Sequence, residues 1–182
     1  MTQPIRLQSL VSAPAAGFEQ PFEMLQACHE RVHRMLALLA RLREHLRIHG
    51  ADTQAQQAAR DVMRYFDQAA PQHHHDEELH VFPPLLAQGD PKTVAVVARL
   101  QQDHLQMESR WGAARQVLGL VAEGRINALS VEDEAVLDAF AGLYDAHIEA
   151  EEGMVYPAAR VLMDEAATAA MGAEMMRRRG VR

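Results

Sequence analysis

Two short stretches hold most of the side chains that could do chemistry. The first runs His73-His74-His75-Asp76-Glu77-Glu78-Leu79-His80-Val81-Phe82-Pro83, and the second His147-Ile148-Glu149-Ala150-Glu151-Glu152-Gly153-Met154-Val155-Tyr156-Pro157. Each has a histidine, a Glu-Glu pair beginning four residues on, then an aromatic residue and a proline. On a helix, residues i and i+4 share a face. His73 therefore points with Glu77, His74 with Glu78, and His147 with Glu151. An imidazole and a carboxylate one turn apart can hold one metal ion, or the carboxylate can bridge two. Such groups are costly to bury unless something binds them.

The likeness extends beyond these stretches. Phe66, His73, Glu77, Glu78, Phe82 and Pro83 match Phe140, His147, Glu151, Glu152, Tyr156 and Pro157 at an offset of 74. Leu25, His29 and Leu36 match Leu100, His104 and Trp111 at an offset of 75. The chain reads as two helical hairpins, each giving one histidine from its first helix and a His-x-x-x-Glu pair from its second. Six metal-ligand candidates result: His29, His73, Glu77, His104, His147 and Glu151. That is too many for one tetrahedral zinc. It suits two first-row metal ions sharing bridging carboxylates, with a position open for a small ligand. His74, opposite Ile148, is a seventh candidate that would make the two ions unequal.

A lone histidine is more often a surface or hydrogen-bonded core residue than a ligand; the joint spacing on four helices is what points to metal. The remaining residues get blander readings. His33, four residues after His29, is expected at the surface or beside a ligand. His45 and His49 are expected in solvent, and His75 and His80 at the surface. Glu78 and Glu152, about 100° round the helix from the ligand candidates, are either acceptors for imidazole N–H groups or solvated. Phe66 and Phe140 are core, or walls of a dry pocket. Tyr144, one turn before His147, is a candidate redox or hydrogen-bonding residue. Met24, Met35, Met63 and Met107 read as core, and Cys28 as inert.

The elements that must position these groups are helices. Ala, Leu, Gln, Glu and Arg dominate the 182 residues, which are enough for one domain with a real core. Helix 1 is expected from Pro21 to about Ile48, ended by Gly50. Asp52 or Thr53 caps helix 2, Pro71 kinks or briefly breaks it, and Gly89-Asp90-Pro91 is a turn. Helix 3 runs from Pro91 to about Ala122, with Val94, Val97, Leu100, Leu105, Trp111, Val117 and Leu120 inward, and Gly124 closes it. Ser130, with Asp133 three residues on, caps helix 4, and Pro157 kinks that helix. Long helices with short connections predict an all-α, up-down-up-down four-helix bundle. The expected division is an N-terminal arm (1–20), the bundle (21–171) and a solvated basic tail (172–182) around Arg177-Arg178-Arg179.

A net charge of −7 gives no sign of nucleic-acid binding. The single cysteine allows no internal disulfide and suits a reducing, cytoplasmic setting. No run has the apolar length of a membrane span, and Met1 to Gln20 lack the charged start and apolar run of a secretory signal.

With Cys28-His29-Glu30-Arg31, the His73 and His147 stretches and Asp103-His104 in hand, the chain resembles the hemerythrin-like HHE cation-binding family over about residues 21 to 165. The resemblance implies an antiparallel four-helix bundle around two non-haem iron ions and no organic cofactor. It implies that His29, His73, Glu77, His104, His147 and Glu151 ligate iron, the glutamates bridging, and that His74 sits where some relatives place a further ligand. Two departures separate the chain from the oxygen-carrying hemerythrins. His104 is followed four residues on by Glu108 rather than by a second histidine, and helix 4 has Glu151 at i+4 rather than an aspartate at i+5. Both weigh against simple reversible oxygen transport. The expected activity is binding or sensing of dioxygen, nitric oxide or peroxide by a monomer or homodimer. The alternatives are an oxidoreductase acting on oxygen, peroxide or nitric oxide, and an iron-binding or iron-sensing protein.

Overall fold

The computed structural model describes residues 17–181, and every regular element in that range is helical. The expected arm at residues 1–20 therefore lies mostly outside the described residues. The helices are α1 (Pro21–His49), α2 (Thr53–Asp76), α3 (Phe82–Gln88), α4 (Pro91–Ala122), α5 (Val131–Ala141), α6 (Tyr144–Ala150), α7 (Tyr156–Leu162) and α8 (Glu165–Arg178). Two five-residue π-helical turns join α2 to α3 (Glu77–Val81) and α6 to α7 (Glu151–Val155). Three long rods result, α1, α2–α3 and α4, with the segmented α5–α6–α7 as a fourth and α8 as a short fifth helix.

The helix ends follow local chemistry. Pro21 occupies the first turn of α1, and Gly50 leaves it with φ 74°, in the region that favours glycine. The Asp52 carboxylate accepts from Ala55 N–H, and that of Asp90 from Lys92 and Thr93 N–H, so each satisfies donors the helix leaves open. Ser130 and Asp133 form the expected reciprocal capping box of α5.

The prolines behave differently from expectation. Pro71 sits inside an uninterrupted α2. The departure from α geometry comes later, just before Pro83 and Pro157, where the N–H groups of Phe82 and Tyr156 reach back five residues to the carbonyls of Glu77 and Glu151. A proline offers no N–H and crowds the preceding turn; the wider π turn relieves that crowding. Both π turns begin at the glutamates of the repeat, and such turns gather at functional sites.

Two apolar cores lie along the rods. One gathers Leu39, Leu42, Val62, Phe66, Met107, Leu118, Phe140 and Tyr144. The other gathers Phe22, Leu25, Val81, Phe82, Leu85, Leu100, Val155, Tyr156, Met171 and Met175. In sequence, His29, His73, Glu77, His104 and Glu151 fall between the residues of the two cores, and His147 sits at the edge of the first, beside Ile148. They form a buried polar layer, none more than 7% exposed. Leu105, expected inward, is 60% exposed; Met107, two positions on, takes the core place.

The basic C-terminal end is not a solvated tail. α8 runs across the expected boundary at 171, buries Met171 and Met175, and brings Arg178 and Arg179 onto Asp76, which is fully buried. Arg178 Nη2 donates to Asp76 Oδ1 and Arg179 Nη2 to Oδ2, each at 2.5 Å. A buried carboxylate demands such partners. At Gly172, α8 approaches the N-terminal segment so closely that a Cβ would stand 1.9 Å from the Phe18 carbonyl oxygen.

Candidate metal centre

Each rod brings its donors to the polar layer from one helical face. α1 gives His29, α4 gives His104, α2 with its π turn gives His73 and Glu77, and α6 with its π turn gives His147 and Glu151. Two groups of four form. His29, His73, Glu77 and Glu151 offer donor atoms all within 4.8 Å of one another, as do Glu77, His104, His147 and Glu151. Both carboxylates belong to both groups. His29 Nε2 lies 3.0 Å from His73 Nε2 and 3.1 Å from Glu151 Oε2. His104 Nε2 lies 3.2 Å from His147 Nε2 and 3.4 Å from Glu77 Oε2, and His147 Nε2 is 2.9 Å from Glu151 Oε1. Two donors each about 2.1 Å from one ion stand roughly 3.0–3.4 Å apart at octahedral or tetrahedral angles, so these spacings suit shared metal ions.

The donor set carries a second sign of a cation. Glu77 Oε2, both oxygens of Glu151 and His73 Nδ1 are buried without a hydrogen-bond partner. Orphaned carboxylate oxygens at zero exposure are costly, and a divalent ion is what would satisfy them. The same groups also shift one another's titration. Burial raises the Glu151 carboxyl, but His104, His147 and His29 together hold it well below the usual carboxylate range. Burial lowers His104, yet Glu151 and Glu77 outweigh it and push it up to about 10. Burial likewise opposes the rise at His29, where Glu151 prevails. His73 is lowered by burial, and His74 is driven well below its ordinary value by burial and then by His104, His73 and His147.

Carboxylates outside the layer fix the imidazoles. His29 Nδ1 donates to Glu152 Oε1 at 2.8 Å, His104 Nδ1 to Glu78 Oε1 at 3.0 Å, and His147 Nδ1 to Asp103 Oδ2 at 3.4 Å. With Nδ1 engaged in this way, Nε2 is the ring nitrogen turned inward. Glu78 and Glu152 are thus acceptors rather than solvated groups. Asp103, noted in sequence only beside His104, plays the same part toward His147; its counterpart at the repeat offset of 75 is Cys28, and the corresponding His73 Nδ1 is the unpartnered one.

His74 takes a place of its own. Its ring stacks on His104 at 4.1 Å, and His74, His104 and His147 form a third group of close donors. It also lines a cavity of about 280 Å³ between α2 and α4, walled by Phe66, Ala70, Met107, Trp111 and Tyr144, with His75, Glu78 and Glu108 among its polar lining. Phe66 and Phe140 meet edge to face at 5.0 Å, so Phe66 is core and cavity wall together. Of the histidines expected outside the site, His33 and His75 are exposed. His45 is instead buried, donating to the α2 cap Asp52 at 3.0 Å because α2 folds back over it. His80 is half-buried, donating to Glu174 of α8 at 2.8 Å.

One residue of the layer escaped sequence reasoning. Tyr156, 1% exposed, donates its hydroxyl to Glu77 Oε1 at 2.5 Å, and the same oxygen lies 3.2 Å from His29 Nε2. Burial and the neighbouring Glu77 and Glu151 keep the phenol well above its ordinary value. The repeat held the signal: Tyr156 replaces Phe82, a difference of one hydroxyl.

Helices throughout the described residues and two His/Glu groups that share two carboxylates fit a cation-binding helical protein. The hemerythrin HHE cation binding domain matches residues 20–159, and the chain belongs to that family. An uncharacterized protein of Haemophilus influenzae is 32% identical over 177 residues, covering 97% of this chain and 99% of its own.

Proposed function

We propose that His29, His73, His104, His147, Glu77 and Glu151 hold two non-haem iron ions, the glutamates bridging, at the centre of an up-down-up-down bundle of the four rods. We further propose that the chain binds or senses dioxygen, nitric oxide or peroxide there. The observation that carries this reading is the double membership of Glu77 and Glu151: each stands between two imidazole pairs and has a buried carboxylate oxygen that accepts no hydrogen bond. Two such ions supply redox-active positions at which a small ligand can bind. The protein's part is preparation. Glu152, Glu78 and Asp103 hold the imidazoles in one tautomer. The cores on either side exclude water from the layer. The cavity past His74 gives a small molecule a way in from the α2–α4 side.

The test is optical. Iron-loaded protein prepared without air should gain a visible band when oxygen or nitric oxide is admitted and lose it when the gas is removed. A loaded protein indifferent to both gases would sink the binding reading. An oxidoreductase is the second reading. It draws on the size of the cavity, well beyond a diatomic molecule's share of space at roughly 30 Å³ per small molecule, and on Tyr144 in its wall, 5.7 Å from Phe66. Sustained consumption of added peroxide, abolished by His147→Ala, would select that reading.

A further inference from the structure

The two halves of the layer are built alike but end differently. In the first half of the pair, Tyr156 stacks on His29 with ring centroids 5.6 Å apart and planes 7° from parallel. In the second, Phe82 stacks on His104 at 5.6 Å and 18°. The rings occupy matching places, so the repeat puts a hydroxyl on one side and a C–H on the other. Only the tyrosine oxygen enters the donor set. Its 3.2 Å to His29 Nε2 falls among the distances of the histidines and glutamates themselves, such as 3.0 Å for His29 to His73, while its 2.5 Å to Glu77 Oε1 is that of a short hydrogen bond. On the opposite side, His74 stands beside His104 and His147, where the repeat has Ile148.

We propose that Tyr156 Oη is a third terminal donor at the His29/His73 position, so that the two positions are unequal: phenolate-bearing on one side, imidazole-rich and open to the cavity on the other. This rests on the reading of the site as an iron centre. Loading exchanges the phenolic O–H bond for an oxygen–metal bond, and the proton leaves to the buffer. Without metal the hydroxyl serves Glu77 as a hydrogen-bond donor; a bound cation reverses the preference for the protonated form. Phenolate is a hard, anionic donor, so this position favours the ferric state, and exogenous ligands are directed to the His104/His147 side, where the cavity arrives.

The chain has three tyrosines, and the other two are far from this role. Tyr65 donates to the Cys28 carbonyl, and Tyr144 packs with Phe66 and Phe140. The experiment is iron loading followed by oxidation, with metal content, the visible spectrum and resonance Raman recorded together. A phenolate-to-iron charge-transfer band with enhanced tyrosinate ring modes is expected, kept in Tyr65→Phe and Tyr144→Phe and lost in Tyr156→Phe at unchanged iron content. Two ferric ions without that band in the unaltered chain would overturn the Tyr156 assignment and leave the metal reading standing. So would loss of the band in Tyr65→Phe or Tyr144→Phe alone. A chain that takes up no iron would overturn both. The unaltered chain and these two variants decide the matter even where Tyr156→Phe fails to fold.

Discussion

Glu78 ties a histidine of α4 to the π turn after α2: it accepts from His104 Nδ1 at 3.0 Å and from Gln101 Nε2 at 2.7 Å. Removing it frees the His104 ring to turn and exchange tautomers. Glu78→Ala should therefore lower metal affinity about 10–100-fold with the fold intact, measured by competition with a coloured chelator. An unchanged affinity would show that the imidazoles need no such support. Much at this scale was legible. His29, His73, Glu77, His104, His147 and Glu151 stood out because a helix converts spacing into direction and the repeat stated the pattern twice. Tyr156 did not stand out, because aromatic-for-aromatic replacement reads as packing until the hydroxyl is seen beside Glu77. Asp103 and His45 were hidden for a related reason: each partner, His147 and Asp52, lies on another helix, and nothing local announces it.

At the scale of elements, α8 holds the segment that carries Glu77 in place. Asp76 sits one residue before Glu77, and Arg178 and Arg179 neutralise it from α8. Replacing both arginines by alanine would strand a buried carboxylate, a cost of about 3–5 kcal/mol, read as a lowered midpoint in urea. A change within error would mean that Asp76 finds water. Gly172→Ala should also destabilise, by about 1–3 kcal/mol, because the added Cβ meets the Phe18 carbonyl; chemical denaturation of the two proteins side by side checks it. A third prediction concerns acid. The hydrogen bond from Arg178, against some burial and with help from His80, draws Glu174 from about 4.5 to about 2. A depressed carboxylate contributes stability that is present above its unfolded value and lost as pH falls through its folded one. The chain should therefore lose α8 docking energy between about pH 4.5 and pH 2, and Glu174→Gln should flatten stability against pH in that window; an unchanged slope would contradict the contact. None of this was readable in advance. Arg177-Arg178-Arg179 looks like any basic terminus until its partner, some hundred residues away, is known. The π turns were also hidden, since sequence shows where a proline disturbs a helix but not that the ladder will widen ahead of it.

For the whole molecule, the central feature is a polar layer between two apolar cores. Sequence showed the helical class, the family and the ligand candidates, because all three rest on periodicity. The fifth helix does not follow from the expected division, which ends the bundle at residue 171 and leaves 172–182 as a tail. A layer of buried imidazoles and carboxylates is tolerable when an ion binds it, so metal and folding should be linked. Ligand that binds only the folded state stabilises it by about 4 kcal/mol at a thousandfold excess over its dissociation constant. Stripping the metal should accordingly lower the thermal midpoint by several degrees, and restoring it should reverse the change; equal midpoints would break the link. The most direct measurement is the metal content of protein purified without air, taken beside Glu77→Ala and Glu151→Ala. About two irons per chain are expected, falling well below two in each variant if, as proposed, both ions share both carboxylates. A metal-free chain, a single zinc, or a full iron load in either variant would contradict the shared centre.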